Sequence, residues 1–140
     1  TGRAVLKVLK RGFGYGFLEG RTALVVNDSL RIGRPLTAML ANRRATPILC
    51  HRFTPPDRLE SLTKLSDILI SAVPDPDYRI PQEWIRDGAL CLDLSHEGNF
   101  DAEALERRGI PHTDTARNSV GKVTRAMALL NLTYAAGFEG

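Results

Sequence analysis

The sequence contains little cysteine, and its pattern argues against metal and disulfide chemistry. Its two cysteines are Cys50 and Cys91, and no CxxC pair occurs, so a zinc site has no support. Each lies in an apolar run, "PILC" and "GALCLDL", which predicts a buried thiol. A disulfide would need an oxidising compartment, and nothing in the sequence indicates one. We therefore expect two reduced thiols and no metal site.

Long hydrophobic runs are also missing. The apolar stretches are far too short to span a bilayer, and no signal peptide opens the chain. We therefore expect no membrane partner and an intracellular location, in the cytosol or the mitochondrial matrix, since both are compatible with reduced thiols. The first residues, "TGRAVLKVLK", already have a helical pattern, so we expect the chain to be part of a longer protein.

Positive charge is only mildly in excess. The net charge is +3 over 140 residues, and the isoelectric point is about 9.1. Basic residues form two small clusters, Lys7, Lys10 and Arg11 in one and Arg43 and Arg44 in the other. Nucleic-acid-binding proteins usually have longer basic stripes with interleaved aromatic residues. The clusters are predicted to be solvated helix faces, and nucleic acid is not an expected partner.

Helical and strand patterns alternate along the chain. Short, nearly continuous apolar runs predict buried strands, and the segments between them have helical periodicity or helix-ending glycines. The predicted strands are 22–26, 46–50, 67–73 and 89–94, and the predicted helices are 2–11, 35–44, 55–65, 81–88, 101–109 and 121–138. This alternation predicts one α/β domain over residues 1–140, with a doubly wound, mostly parallel sheet. Such sheets bind ligands outside the carboxyl ends of their strands.

The first strand end, in "VVNDSLRIGRPL" (25–36), allows two interpretations. Unpaired amides at a helix start attract anions, and Ser29 could bond a phosphate oxygen there. Gly33 would permit close approach of a pyrophosphate or of a packing neighbour. Alternatively, the segment is a tight turn in which Ser29 caps the helix. One glycine does not decide between them, since the usual dinucleotide fingerprint has three.

The other strand ends carry polar residues without a catalytic constellation. His51 and Arg52 follow the second strand, where dinucleotide folds usually place an acid for the ribose. Arg52 could pair with a 2′-phosphate, stack on adenine or simply be exposed, and His51 is expected to be structural. Asp93 lies in an apolar strand, which predicts a buried, hydrogen-bonded carboxylate. Trp84 is expected to be a packing residue.

Four segments together resemble the methylenetetrahydrofolate dehydrogenase/cyclohydrolase family, in its nucleotide-binding domain. "NDSLRIGRPLTAMLANRRAT" is similar to the family's "GRSxxVGxPlaxLLxxxxAT", and "CHRFTP" is similar to "CHSxT" and closer to the "HRYTP" of NAD-using members. "SDILISAVPDPDYRIPQEWIRDGALCLDL" resembles "aDIvivAvGkPxxixxxxikxGavviDvG", and "VGKVTRAMALLN" resembles "VGPMTxaMLlxN". The likeness covers nearly the whole chain. Pro74 and "VGKVT" are most similar to the monofunctional, NAD-dependent fungal enzymes.

The resemblance implies a Rossmann-like domain that orients NAD for hydride transfer from 5,10-methylenetetrahydrofolate, in one-carbon metabolism. The folate would bind through a second domain, which carries the family's catalytic Tyr-x-x-x-Lys motif. That motif does not occur in this chain, so no catalytic residue is expected in it. The first and last helices would pack toward the second domain, a homodimer is expected from the family, and any cyclohydrolase activity would need residues outside this chain.

The resemblance also implies the residues that bind the cofactor. They are Asn27, Asp28, Ser29, Ile32 and Gly33 in the first turn, His51 and Arg52 after the second strand, Ala72, Val73 and Pro74 after the third, and Ser95 and Thr124 on the nicotinamide side. Asp28 replaces a family arginine that helps to bind the 2′-phosphate of NADP. A carboxylate there would repel that phosphate and could accept from a ribose hydroxyl. Arg52 replaces a family serine, as in some NAD users, and the two changes together favour NAD over NADP.

Several family glycines are replaced, which leaves a second interpretation open. Arg117, Asn118 and Ser119 stand in place of "Pro-Gly-Gly", and Ser95 stands in place of the glycine of "DVG". Losing glycine removes room for a close ligand. The alternative to the dehydrogenase is therefore a non-catalytic family member that serves as a structural or binding component of a larger assembly.

Overall fold

The structure is a computed structural model that describes residues 2–14, 16–95 and 97–113. Its helices are α1 (Gly2–Phe13), α2 (Gly33–Asn42), α3 (Pro56–Leu65) and α4 (Ala102–Arg107), its strands are β1 (Thr22–Val26), β2 (Thr46–Cys50), β3 (Ile68–Ser71) and β4 (Leu90–Asp93), and Gln82–Trp84 forms a 3₁₀ turn. The predicted helix 121–138 and the predicted site residue Thr124 lie outside the described residues.

The four strands form a parallel sheet in the order β2-β1-β3-β4. The chain therefore passes outward from β1 to β2, and then returns to the opposite side of β1 to form β3. The point where the direction reverses lies between β1 and β3, and this is where α/β sheets form ligand crevices. Pro47 lies in β2, an edge strand in which a missing amide hydrogen is tolerated.

Each face of the sheet packs on its own apolar core. Ala23 and Val25 of β1 belong to a core that also contains buried residues of α1 and α2. Leu24 and Val26 alternate with them and belong to a second core, on the side of α3, the 3₁₀ turn and α4. Because successive side chains of a strand point to opposite faces, this division shows that helices cover both faces. The predicted doubly wound parallel sheet is confirmed.

The segment predicted as a helix over 81–88 forms only the 3₁₀ turn Gln82–Trp84. Ile85 is already extended, with φ −91° and ψ 120°. The Arg108 guanidinium donates to the carbonyl oxygens of Gln82 and Ile85, which a continuing helix would have used for its own amides. The segment still ends at Gly88, whose φ of +87° suits glycine.

The third strand is also shorter than predicted: it ends at Ser71, two residues before the predicted end at residue 73. Both backbone groups of Val73 bind the side-chain amide of Asn99: its N–H donates to Oδ1 at 2.9 Å, and its carbonyl accepts from Nδ2 at 3.1 Å. A side chain thus replaces the neighbouring strand as the partner.

Both cysteines are buried free thiols, as predicted. Among the described residues, no group of three or more histidine, cysteine, aspartate or glutamate side chains could hold a metal ion. Within the same part of the chain, the helices are too short or too polar to cross a membrane.

Candidate functional site

The first strand ends at an asparagine with a left-handed backbone. Asn27 has φ +105°, a region that glycine adopts readily and asparagine adopts more often than other residues. Its amide donates to the carbonyl oxygen of Cys50 at 2.9 Å, and its side-chain amide donates to the carbonyl oxygen of Ala72. Asn27 therefore ties the carboxyl end of β1 to the ends of β2 and β3.

Gly33 allows two backbone segments to touch. A Cβ atom added at Gly33 would lie 1.7 Å from the carbonyl oxygen of Asn27, far inside any real contact. The sequence allowed either a pyrophosphate or a packing neighbour next to Gly33. The structure shows the packing neighbour, because the end of β1 fills the space. Gly33 is itself buried at the first position of α2.

Ser29 closes the N-terminus of α2. Its Oγ accepts hydrogen bonds from the amides of Ile32 and Gly33 at 3.1 and 3.3 Å, and its carbonyl oxygen accepts from the amide of Arg34 at 3.0 Å. Pro35 has no amide hydrogen. Ser29 thus binds the first amides of α2, as the capping interpretation expected, although the residue at the N-cap position is Ile32. A phosphate contact stays a prediction, because a hydroxyl that accepts can still donate.

The amides that remain available for an anion lie just before the helix. Within the described part of the chain, the amides of residues 28–31 donate to no acceptor. Unpaired amides in a turn are suitable donors for phosphate oxygens. Any pyrophosphate held at this turn would therefore use residues 28–31, instead of the first turn of α2 that the sequence indicated.

Asp28 forms an ion pair that the sequence did not predict. Nη2 of Arg34 lies 3.3 Å from Oδ2 of Asp28, and Nε of Arg34 donates to the carbonyl oxygen of Asp28 at 3.0 Å. Sequence rules pair charges three or four residues apart on a helix. These two residues are six apart across a turn, so the opposite charges gave no usable signal.

The turn after β2 is held by its own side chains. The amide of His51 donates to Thr54 Oγ1 at 3.0 Å, and Nδ1 of His51 accepts from the amide of Phe53 at 3.2 Å. His51 thus has the structural contacts that the sequence led us to expect. The Arg52 guanidinium lies 4.8 Å from the centre of the Phe53 ring, which is 74% exposed. Arg52 is exposed at the same turn.

A buried polar network shapes the segment after β3. Oδ1 of Asn99 accepts from Ser71 Oγ at 2.7 Å, in addition to the contacts with Val73. The Asn99 amide in turn donates to Oδ2 of Asp93 at 2.7 Å, and Oδ1 of Asp93 accepts from the hydroxyl of Ser95. Asp93 is therefore the buried, hydrogen-bonded carboxylate that the apolar strand predicted. Nothing in the sequence around Asn99 indicated its role.

A cleft of about 620 Å³ lies beyond the carboxyl ends of β2, β1 and β3. This volume is within the range of cofactor sites. Six of the predicted site residues line it, namely Asn27, Asp28, His51, Arg52, Val73 and Pro74. The five other predicted residues that the structure describes, namely Ser29, Ile32, Gly33, Ala72 and Ser95, lie outside the lining. Most of the apolar and aromatic wall, which includes Leu59, Tyr78 and Trp84, was not predicted from the sequence.

Tyr78, in the wall of the cleft, and the neighbouring Cys50 are uncharged at neutral pH. Burial raises the pKa of the Tyr78 phenol, and a negative charge on the neighbouring Cys50 would raise it further. Burial also raises the pKa of the Cys50 thiol, against the opposing effect of a hydrogen bond with Thr54. Both groups are therefore protonated at neutral pH. The formal charges that remain on the lining are Asp28 and Asp75 against Arg52 and Arg79, which balance each other.

Comparison with known proteins agrees with this geometry. Residues 1–139 match the family described as tetrahydrofolate dehydrogenase/cyclohydrolase, NAD(P)-binding domain. The chain is 33% identical to methylenetetrahydrofolate dehydrogenase [NAD(+)] of Schizosaccharomyces pombe, over 99% of this chain and 50% of that protein. It is 42% identical to the bifunctional protein FolD of Xanthomonas euvesicatoria, over 85% of this chain and 41% of that protein.

A solved structure extends the comparison to the fold. The NAD-dependent 5,10-methylenetetrahydrofolate dehydrogenase of Saccharomyces cerevisiae superimposes with a TM-score of 0.72 at 28% identity, over 99% of this chain and 52% of that one. The chain thus spans about half the length of the relatives that it matches. These matches confirm the resemblance and the α/β dinucleotide-binding fold that the sequence indicated.

Proposed function

Because the chain belongs to the tetrahydrofolate dehydrogenase/cyclohydrolase family, as its NAD(P)-binding domain, we propose that it is the NAD-binding half of a methylenetetrahydrofolate dehydrogenase. In this proposal the chain orients NAD for hydride transfer from 5,10-methylenetetrahydrofolate. The observation that carries it is the cleft at the point where the strand order reverses, lined on one side by Asp28 and Arg52 and on the other by Val73 and Pro74.

The residues of the cleft fit a dinucleotide. In this proposal the amides of residues 28–31, at the edge of the cleft, would bind the pyrophosphate, and Asp28 and Arg52 would contact the adenosine ribose. Val73 and Pro74 would face the nicotinamide. The backbone of Val73 is held by Asn99, which binds its N–H and its carbonyl oxygen. The bound dinucleotide supplies the hydride acceptor, and this chain holds and orients it.

The charges of the cleft favour NAD over NADP. A 2′-phosphate would bring a charge of about −1.5 to −2, as other phosphate monoesters do near neutral pH. The lining offers it no excess of positive charge, because two carboxylates balance two guanidinium groups. The fission and budding yeast relatives are named as NAD enzymes, which supports the same preference.

The folate and the chemical step belong to the remainder of a longer protein in this proposal. The matched relatives are about twice the length of this chain, and no Tyr-x-x-x-Lys motif occurs in it. A second domain would therefore supply the folate site and the catalytic groups. The homodimer, the intracellular location and the packing of the terminal helices toward that domain stay predictions.

The proposal is tested by titrating the chain with NAD and with NADP in a calorimeter. We expect NAD to bind at least tenfold more tightly than NADP, a difference of about 1.4 kcal/mol. Arg52→Gln should weaken NAD binding, whereas Arg58→Gln should not, since Arg58 is exposed on α3 outside the cleft lining. If the two variants bind NAD with equal affinity, NAD does not bind at Arg52 in the cleft. Tighter binding of NADP than of NAD to the wild-type chain would refute the NAD preference.

A non-catalytic role is the second candidate, and two contacts favour it. Ser29 already satisfies the amides at the start of α2, and the Ser95 hydroxyl is bound to Asp93 beneath the sheet edge. Both sites are therefore engaged by the protein itself. If neither dinucleotide binds the chain, and the full-length protein shows no dehydrogenase activity with either, a structural or binding role replaces the dehydrogenase.

A further inference from the structure

Arg34 holds Asp28 by its side chain and its backbone at once. Nη2 of Arg34 contacts Oδ2 of Asp28, and Nε donates to the carbonyl oxygen of the same residue. Oδ1 of Asp28 accepts no hydrogen bond from the residues that the structure describes. Asp28 lines the cleft and Arg34 does not, so Arg34 is linked to the cleft through this ion pair.

We propose that Arg34 is a positioning residue that determines which dinucleotide the cleft accepts, through its ion pair with Asp28. Arg34 fixes the carboxylate so that Oδ1 is left to accept from a ribose hydroxyl. The carboxylate in turn offsets the charge of Arg34, whose side chain stays 58% exposed. This inference rests on the proposed function, because it assumes that the adenosine ribose lies at this end of the cleft.

The ion pair keeps the Arg34 guanidinium engaged with Asp28. A guanidinium carries five N–H donors in a fixed fork and binds phosphate strongly when those donors are available. Without the Asp28 carboxylate, Arg34 would lose its ion-pair partner next to a cleft whose lining already includes Arg52. Two guanidinium groups at one end of the cleft form a site for a 2′-phosphate. The wild-type ion pair therefore conceals an NADP site.

The test is a mutant cycle read by the binding of NAD and NADP to the purified chain. Asp28→Asn should tighten NADP binding about tenfold and weaken NAD binding severalfold, because Arg34 loses its negative partner and the charged ribose acceptor becomes a neutral amide oxygen. Arg34→Gln should weaken NAD binding severalfold, because Asp28 is no longer positioned. The double variant D28N/R34Q should lose the gain in NADP binding. Arg58→Gln is the matched control, since Arg58 is exposed on α3 outside the cleft lining and forms no ion pair with the described residues.

The outcomes separate this inference from the proposed function. If the wild-type chain binds neither dinucleotide, the proposed function and this inference both fail. If the wild-type chain binds NAD, but D28N and D28N/R34Q bind NADP equally well, the proposed function stands and the role of Arg34 is refuted. The same holds if R58Q changes the ratio of NAD to NADP affinity as much as R34Q. If R34Q does not fold, Arg34→Lys replaces it. Lysine keeps the charge but cannot bind both the carbonyl oxygen and Oδ2 of Asp28, so this variant should also lose NAD affinity.

Discussion

At the scale of single residues, Asn27 combines a backbone requirement with a hydrogen bond. The family segment that resembles "NDSLRIG" begins with glycine, and the φ of +105° at Asn27 explains why glycine is suited to that position. Asparagine adopts such a φ at lower cost than other side chains, and here it also donates to the carbonyl oxygen of Ala72. The replacement of glycine therefore preserves the turn and adds a link between β1 and β3.

Asn27→Ala should destabilise the chain by about 2 kcal/mol. Alanine loses the hydrogen bond to Ala72, worth about 1 kcal/mol, and it lacks the local preference of asparagine for a left-handed backbone, which costs up to about 1 kcal/mol more. Asn27→Gly loses the same hydrogen bond without the backbone strain, so it should be the milder change. Urea denaturation of both variants measures the two free energies of unfolding. Equal losses in both would show that the backbone at Asn27 is not strained.

At the scale of secondary structure, Arg108 determines the shape of the segment before β4. Its guanidinium, at the end of α4, contacts the carbonyl oxygens of Gln82 and Ile85 and lies 3.1 Å from the carboxylate of Asp87. Replacing Arg108 with methionine keeps an apolar stem and removes all the donors. We expect a loss of about 2 kcal/mol, the typical value for hydrogen bonds to a charged group.

Trp84 provides the readout for this change. It is the only tryptophan of the sequence, and it lies between the two carbonyls that Arg108 binds. Its fluorescence should shift to longer wavelength in Arg108→Met, since the turn would loosen toward water. Arg107→Met is the matched control, because Arg107 is exposed on the same helix. If both variants have the same unfolding midpoint in urea, Arg108 does not hold the turn.

The strands could be predicted from the sequence because strands that are buried on both faces are nearly continuous apolar runs. Each of the four apolar runs became a strand within two residues of its predicted bounds. The bounds that failed depend on partners that are distant in sequence. Asn99 ends β3 from 26 residues away, by binding Val73. Arg108 replaces helical bonds at Gln82 from the same separation. No local periodicity reports such contacts.

The candidate site follows the same rule. The strand ends that carry Asn27, Asp28, His51 and Arg52 could be found from the sequence, because parallel strands bring their carboxyl ends to one edge. Tyr78 and Trp84 could not, since they lie in an irregular segment that folds over that edge. The ion pair of Asp28 with Arg34 was missed for a different reason, because its geometry exists only once the turn has formed.

At the scale of the whole molecule, the sheet separates two apolar cores, and the core on the α4 side contains the thiol of Cys91. Cys91 is fully buried there, among the side chains that pack with α4. Burial raises the pKa of its thiol far above the ordinary value of 9.0, although the nearby Arg108 opposes the shift. In the folded chain Cys91 therefore keeps its proton around pH 9.0, where the same thiol begins to ionise in the unfolded chain.

The stability of the molecule should consequently fall in mild alkali. Below pH 9.0, the ordinary pKa of the thiol, both states carry the proton and the contribution of Cys91 is constant. Above it the unfolded chain loses the proton first, so each further pH unit lowers the free energy of unfolding by about 1.4 kcal/mol until the folded thiol also ionises. Cys91→Ala removes this titration. Between about pH 8 and about pH 10, wild-type protein should therefore lose about 1.4 kcal/mol more than the variant in urea denaturation. Parallel losses in the two proteins would show that Cys91 ionises as readily in the folded chain as in the unfolded one.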